Sequence, residues 1–233
     1  MDVTKTKASV DVLPAQEEAQ DTMPTLREKI CYGFGDVSCN IVNGLVFSLI
    51  TLFYTDYVGV SAATVGLVML ISRCFDGVSD FIMGVVVSKT KSKWGKARPW
   101  MLWMAFPYAV AAVLMLTVPQ TTATLQFLYI LVTYNIATTV CYTAINVPYG
   151  TLSAMMTRSS RGRDLLGVFR MGMSPFGRII SVTFTLPLVK IFGGDQLAWV
   201  KTMSIWAVIA AILLVLCFKN CEERVHIEAA AKA

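Results

Sequence analysis

Charge is what this sequence has least of. Only 15% of its 233 residues are Asp, Glu, Lys or Arg, against about 25% in an ordinary soluble domain. So little charge cannot cover a water-facing surface, which argues against a cytosolic globular enzyme. Histidine is nearly missing: His226 is the only one, and a zinc site is left without a ligand set. The six cysteines, Cys31, Cys39, Cys74, Cys141, Cys217 and Cys221, form no CxxC. Most lie in apolar stretches, where they read as small buried hydrophobes and not as a disulfide framework. Disorder is excluded from the other side, because 55% of the residues are hydrophobic and a disordered chain lacks such apolar content. The net charge of +5 does not mark a nucleic-acid binder, since the basic residues fall in short clusters between apolar runs.

Those apolar runs are what the sequence does have. About 20 apolar residues are needed to cross a bilayer as a helix, and six such spans can be drawn: Ile30–Val58, Ala62–Val87, Pro99–Val118, Leu125–Val147 (ended by Pro148), Leu165–Val189 and Ala198–Phe218. The runs are continuous and long, whereas barrel strands alternate over about 10 residues. The expected fold is therefore an all-α integral membrane protein, a six-transmembrane-helix bundle over residues 30–218. Residues 1–29 are polar, hold no apolar core of a signal peptide and read as a cytosolic tail; residues 219–233 are polar again. Lys and Arg gather before the first span, in KTKSKWGKARP after the second, in MMTRSSRGRD after the fourth and after the sixth, while the connectors after the first and third carry none. Both termini are expected on the cytoplasmic side of the cell membrane.

A charge at bilayer depth costs roughly 2.5–3.5 kcal/mol even on the lenient scale, so each one is a candidate for function. Arg73, Asp76 and Asp80 stand three and four residues apart in the second span, on one helical face. Asp36, Asn40 and Asn43 make a stripe in the first span, Asn135, Thr139, Tyr142, Thr143 and Asn146 in the fourth, and Arg170, Ser174, Arg178 and Ser181 in the fifth. The third and sixth spans have no such stripe, which suggests four helices around an aqueous cavity and two outside it. Two carboxylates one turn apart repel unless a cation or proton lies between them, so Asp76 and Asp80 point to ion binding. Asp36 and Arg170 lack an obvious local partner. Arg73 has one in Asp76, and both a structural ion pair and a functional role are open to it. The stripe of the fourth span is also open to reading as helix–helix adhesion, and Arg178 to snorkelling.

Several segments together resemble the glycoside–pentoside–hexuronide:cation symporters of the major facilitator superfamily: EKICYGFGDVSCN, LFYTDYVGVSAATVG, RCFDGVSDFIMG, KSKWGKARPW and YTAINVPYGTLS. The combination RxxDxxxD, WGKxRP and NxPYG carries the resemblance. It implies that Asp76 and Asp80 bind a coupling Na⁺ or H⁺, as a metal site if the ion is Na⁺, with Thr143 and Asn146 where cation and sugar sites meet. It implies further that Asp36 and Arg170 contact sugar hydroxyls beside Asn146. Arg73, three residues before Asp76, is expected to act as the charge partner of the acidic pair. No cofactor beyond the coupling ion is implied. The family's melibiose permease has an aspartate at the position of Asn146, a lysine at that of Gly35 and a tryptophan at that of Gly150. Carboxylate, guanidinium and amide groups suit a sugar's hydroxyls, and a cation between carboxylates makes ion and sugar occupancy reciprocal.

Superfamily members have two six-helix halves with substrate between them. The chain resembles an N-terminal half, with residues 219–233 as the start of a central cytosolic linker and a second six-helix half as the expected partner. Two rival readings stand beside it. An intramembrane DxxxD also suits Mg²⁺ in phosphoalcohol or prenyl transfer, for which Asp36 is the remaining acid at depth. A membrane subunit without transport activity is the other.

Overall fold

The computed structural model describes residues 23–225. They form six helical rods, α1 (Leu26–Tyr57), α2 (Ala62–Lys89), α3 (Arg98–Leu116), α4 (Ala123–Met156), α5 (Ser160–Ile191) and α6 (Gln196–Asn220). By length and composition α1, α3, α4 and α6 are apolar enough to cross a membrane. The rods α2 and α5 are of comparable length, 28 and 32 residues, and carry the charges singled out above. His226 lies outside the described residues.

Side-chain caps explain where the rods begin. Thr25 and Glu28 form a reciprocal capping box: the Thr25 amide donates to Glu28 Oε2 at 2.7 Å, and the Glu28 amide donates to Thr25 Oγ1 at 3.3 Å. That cap starts α1 at Leu26, so Leu26–Lys29 belongs to the helix and not to a polar tail. Ser61, Ser159 and Asp195 cap α2, α5 and α6 one-sidedly, each side chain accepting from the backbone amide three residues on. The Ser159 cap draws the first turn of α5 out of the basic connector, five residues before the expected Leu165.

A larger departure concerns α4. The expected stop at Pro148 does not occur; the helix continues to Met156. A proline inside a membrane helix is tolerated when neighbouring groups satisfy the freed carbonyls. Earlier in the same rod, Ile136–Cys141 is π-helical, and such a bulge rotates everything after it relative to everything before. A second π-helical turn, Phe53–Tyr57, closes α1, where the Tyr54 hydroxyl donates to the Met115 carbonyl of α3 at 3.0 Å.

The rod α1 is central, packed along α5 on one side and α6 on another, with α3 against α6. Its approach to α5 is close because of Gly177, where a Cβ would come within 2.6 Å of the Val37 carbonyl oxygen. Small residues at helix crossings serve this purpose in lipid, where dispersion contacts and not water exclusion hold helices together. Polar bolts add to it: Ser38 Oγ donates to the Ala210 carbonyl at 2.8 Å and Trp206 Nε1 to Thr185 Oγ1 at 3.0 Å.

The end of the bundle where α1 starts is tied by the residues after α6. The Glu223 carboxylate accepts from the backbone amides of Lys96, Ala97 and Arg98 at 2.9, 2.8 and 2.7 Å, placing an anion at the N-terminus of α3. Arg98 reaches back to the Phe218 carbonyl at 2.7 Å. Arg224 pairs with Glu28, and the amides of Arg224 and Val225 donate to the Met155 carbonyl at 2.9 and 2.8 Å. The starts of α1 and α3 and the end of α4 are thus joined through one short segment.

Candidate functional site

The acidic pair of α2 faces α4. Thr139 Oγ1 donates to Asp76 Oδ1 at 2.7 Å and Thr143 Oγ1 donates to Asp80 Oδ1 at 2.9 Å, so hydroxyls one turn apart on α4 meet carboxylates one turn apart on α2. Arg73 Nη1 lies 3.3 Å from Asp76 Oδ2 and its guanidinium sits over the Phe47 ring, 5.2 Å from the centroid. Arg73, Asp76, Asp80, Thr143 and Phe47 border a cavity of about 270 Å³ lined also by Asn43, Ser72, Tyr134, Thr138, Tyr142 and Asn146. Carboxylate oxygens backed by hydroxyl oxygens are hard donors of the kind that hold a small cation or a proton.

One turn beyond Thr143, Asn146 connects this cavity to a second group. Arg170 of α5 donates through Nε to Asp36 Oδ1 and through Nη2 to Asn146 Oδ1, each at 3.2 Å. Asn40 donates to the other Asp36 oxygen at 3.2 Å. Arg170 also lies over the Tyr149 ring at 4.7 Å. A larger cavity, about 530 Å³, opens on this side, lined by Tyr32, Asp36, Ser153, Arg163, Gly167, Arg170 and Ser174 among others. A planar fork, a carboxylate and an amide side by side are matched to vicinal hydroxyls.

Every residue singled out for the ion or the sugar lines one of these two adjoining cavities. Neither α3 nor α6 contributes a lining residue to either. The Arg73–Asp76 ion pair is present. Asn135 departs from the expected stripe: it lines an apolar groove of α2, α3 and α4 with Phe75 and Val132, and its side-chain oxygen accepts from Thr139 Oγ1 at 3.4 Å. Arg178 reaches the Ser48 hydroxyl at 3.5 Å, and Ser181 is buried. Sequence reasoning missed Tyr149 and Tyr32 as neighbours of Arg170. It also placed Thr139 on the polar stripe without giving it the carboxylate of Asp76. Asp36, held by Arg170, does not join Asp76 and Asp80, and no group of three or more acidic, cysteine or histidine side chains fit for a metal occurs among the described residues.

The profile of the family described as MFS/sugar transport protein matches residues 31–233. The chain is 34% identical to the isoprimeverose transporter of Lactiplantibacillus pentosus over 233 residues, covering 97% of this chain and 48% of that one. It is 34% identical to the inner membrane symporter YicJ of Escherichia coli (strain K12), covering 87% and 44% of the two chains. It is 35% identical to the uncharacterized symporter YnaJ of Bacillus subtilis (strain 168), covering 86% and 44%. The chain belongs to the MFS/sugar transport family, in its glycoside–pentoside–hexuronide:cation symporter branch. It is a multi-pass membrane protein of a transporter family, and it spans about half the length of the curated relatives it matches.

Proposed function

We propose that the chain is the N-terminal half of a secondary transporter that couples uptake of a sugar or glycoside to Na⁺ or H⁺. In this reading Asp76 and Asp80, with Thr143 and Asn146, hold the coupling ion, and Arg73 answers their charge. Asp36, Arg170 and Asn146 hold the sugar. The observation that carries the proposal is the position of Asn146, bonded to Arg170 at 3.2 Å while lining the cavity of Asp76 and Asp80. An amide shared by two sites gives each occupant a differential interaction with the other, which coupling requires.

The partner in this reading is a second six-helix half. The rods α2 and α5, which flank the cavities, expose large apolar residues such as Phe75, Phe81, Met171 and Phe176, surface that lipid or a second half would cover. Alternating access is a rocking of one half against the other around a central site, so one half alone has nothing to rock against. Both termini lie on the cytoplasmic side of the cell membrane.

The test is uptake into membrane vesicles under an imposed Na⁺ or H⁺ gradient, with isoprimeverose, a β-glucuronide and melibiose as labelled probes. The chain is expressed alone and together with a separate six-helix C-terminal half. Accumulation against the gradient only when both halves are present is the expected result. Accumulation by the 233-residue chain alone would replace the half-transporter with a homodimer. Accumulation in neither would overturn the transport reading.

A further inference from the structure

Resting on the assignment of Arg170 to the sugar site, we propose that Tyr149 is a positioning residue for that arginine, itself held in place by Tyr32. The two tyrosines face each other across the α1–α4 contact. The Tyr149 hydroxyl donates to the Tyr32 carbonyl at 2.5 Å, and the Tyr32 hydroxyl donates to the Tyr149 carbonyl at 3.2 Å. Their rings stack with centroids 4.6 Å apart and planes 22° apart. Both side chains are fully buried. Two reciprocal bonds and a stack leave the Tyr149 ring no freedom to turn.

That ring also carries Arg170, with the guanidinium carbon 4.7 Å from the centroid. A guanidinium is attracted to the negative face of an aromatic ring and lies along it because both are planar. Arg170 reaches the site on a long, flexible stem. With the ring beneath it, the fork is held in the plane from which Nε meets Asp36 and Nη2 meets Asn146. The guanidinium has five N–H donors, more than those two bonds use, and the plane of the ring sets where the others are presented to a sugar.

Room for the ring comes from Gly35 on α1. A Cβ there would stand 2.6 Å from Tyr149 Cε2, so a side chain at position 35 and a tyrosine ring in this pose exclude one another. Gly35 and Tyr149 therefore act as one unit, and neither touches the sugar in this account.

A purely structural aromatic bolt would also link α1 to α4, so the experiment must read the arginine and not stability alone. The probe is isoprimeverose, or whichever panel glycoside the transporting form accumulates, and the measurement is its Kd in membranes. Tyr149→Leu should weaken binding on the order of tenfold. In an Arg170→Gln background the same change should add nothing, because the ring has no guanidinium left to orient. Should the leucine variant fail to reach the membrane, phenylalanine and its mono-, di- and trifluorinated forms at position 149 keep the ring's shape while draining its negative face. Affinity falling stepwise along that series supports the proposal. Losses that add in the Tyr149→Leu, Arg170→Gln pair, or affinity constant along the fluorinated series, overturn it while leaving Arg170 in the sugar site. Wild-type affinity in Arg170→Gln alone removes Arg170 from the site and overturns both.

Discussion

Arg170 of α5 and Asn146 of α4 meet at 3.2 Å, guanidinium to amide oxygen, and that bond marks the border between two cavities with different chemistry. On one side lie Asp76 and Asp80 with their threonine donors. On the other lie Asp36 and the tyrosine pair. Neighbouring sites of unlike chemistry that share one residue are the arrangement from which ion–sugar coupling follows.

Neutralising the acidic pair tests the ion site. Asp76→Asn or Asp80→Asn keeps shape and hydrogen-bonding capacity but removes a charge, and a bound cation loses its strongest donor. Sugar binding should lose its stimulation by Na⁺ or H⁺, a fall of at least about tenfold in the stimulated affinity for a coupling of typical size. Isothermal titration with and without the ion reads this, and full stimulation in both variants would make the pair structural.

The sugar side is tested by changes that preserve charge or shape. Arg170→Lys retains the positive charge and loses the planar fork, and Asp36→Asn loses the 3.2 Å ion pair with Arg170. Each should weaken glycoside binding by about tenfold or more, since a group built to meet a hydroxyl is left without its partner. Unchanged affinity in both variants would take these residues out of the site.

Glu223 is expected to matter for stability and not for ligand affinity. Glu223→Ala removes the acceptor of three backbone amides at the start of α3, at a cost of about 1–2 kcal/mol. Hydrogen exchange at Lys96, Ala97 and Arg98 should accelerate in that variant while exchange in the middle of α5 stays slow. Equal protection at those three amides in both proteins would contradict the capping role.

Membrane orientation can be read with single cysteines in a cysteine-free background. Val60→Cys and Gln120→Cys, in the connectors after α1 and α3, should react with an impermeant thiol reagent from outside, and Ser92→Cys should not. The reverse pattern would invert the bundle.

Much of this was legible in the sequence, for physical reasons. Six runs of bilayer length became six rods, four of them apolar enough to cross a membrane by length and composition, and charges at three- and four-residue spacing on α2 could only share a face. What was hidden depended on backbone events or distant contacts. The π-helical turn Ile136–Cys141 has no sequence signature in an apolar run, and Asn135 was grouped with Asn146 although it lines the apolar groove and not the ion cavity. Pro148 reads as a helix stop in water, yet α4 passes through it. The Tyr32–Tyr149 pair joins residues far apart in the chain, and in an apolar helix an aromatic ring beside a cation looks the same as one that only packs. Glu223 is an ordinary acidic residue until α6 delivers it to the start of α3.

The coupling itself is most directly tested by the ratio of glycoside Kd without and with a saturating coupling ion, measured in the transporting form and in its Asn146→Ala variant. Asn146 is the residue that lines the ion cavity and holds Arg170. The account predicts a ratio well above one in the unaltered protein, about 5 to 150 for a coupling of typical size, falling toward one in the variant even where weak sugar binding survives. A variant that binds more weakly but keeps the full ratio would contradict it, because the ion and sugar sites would then communicate by a route that does not pass through Asn146.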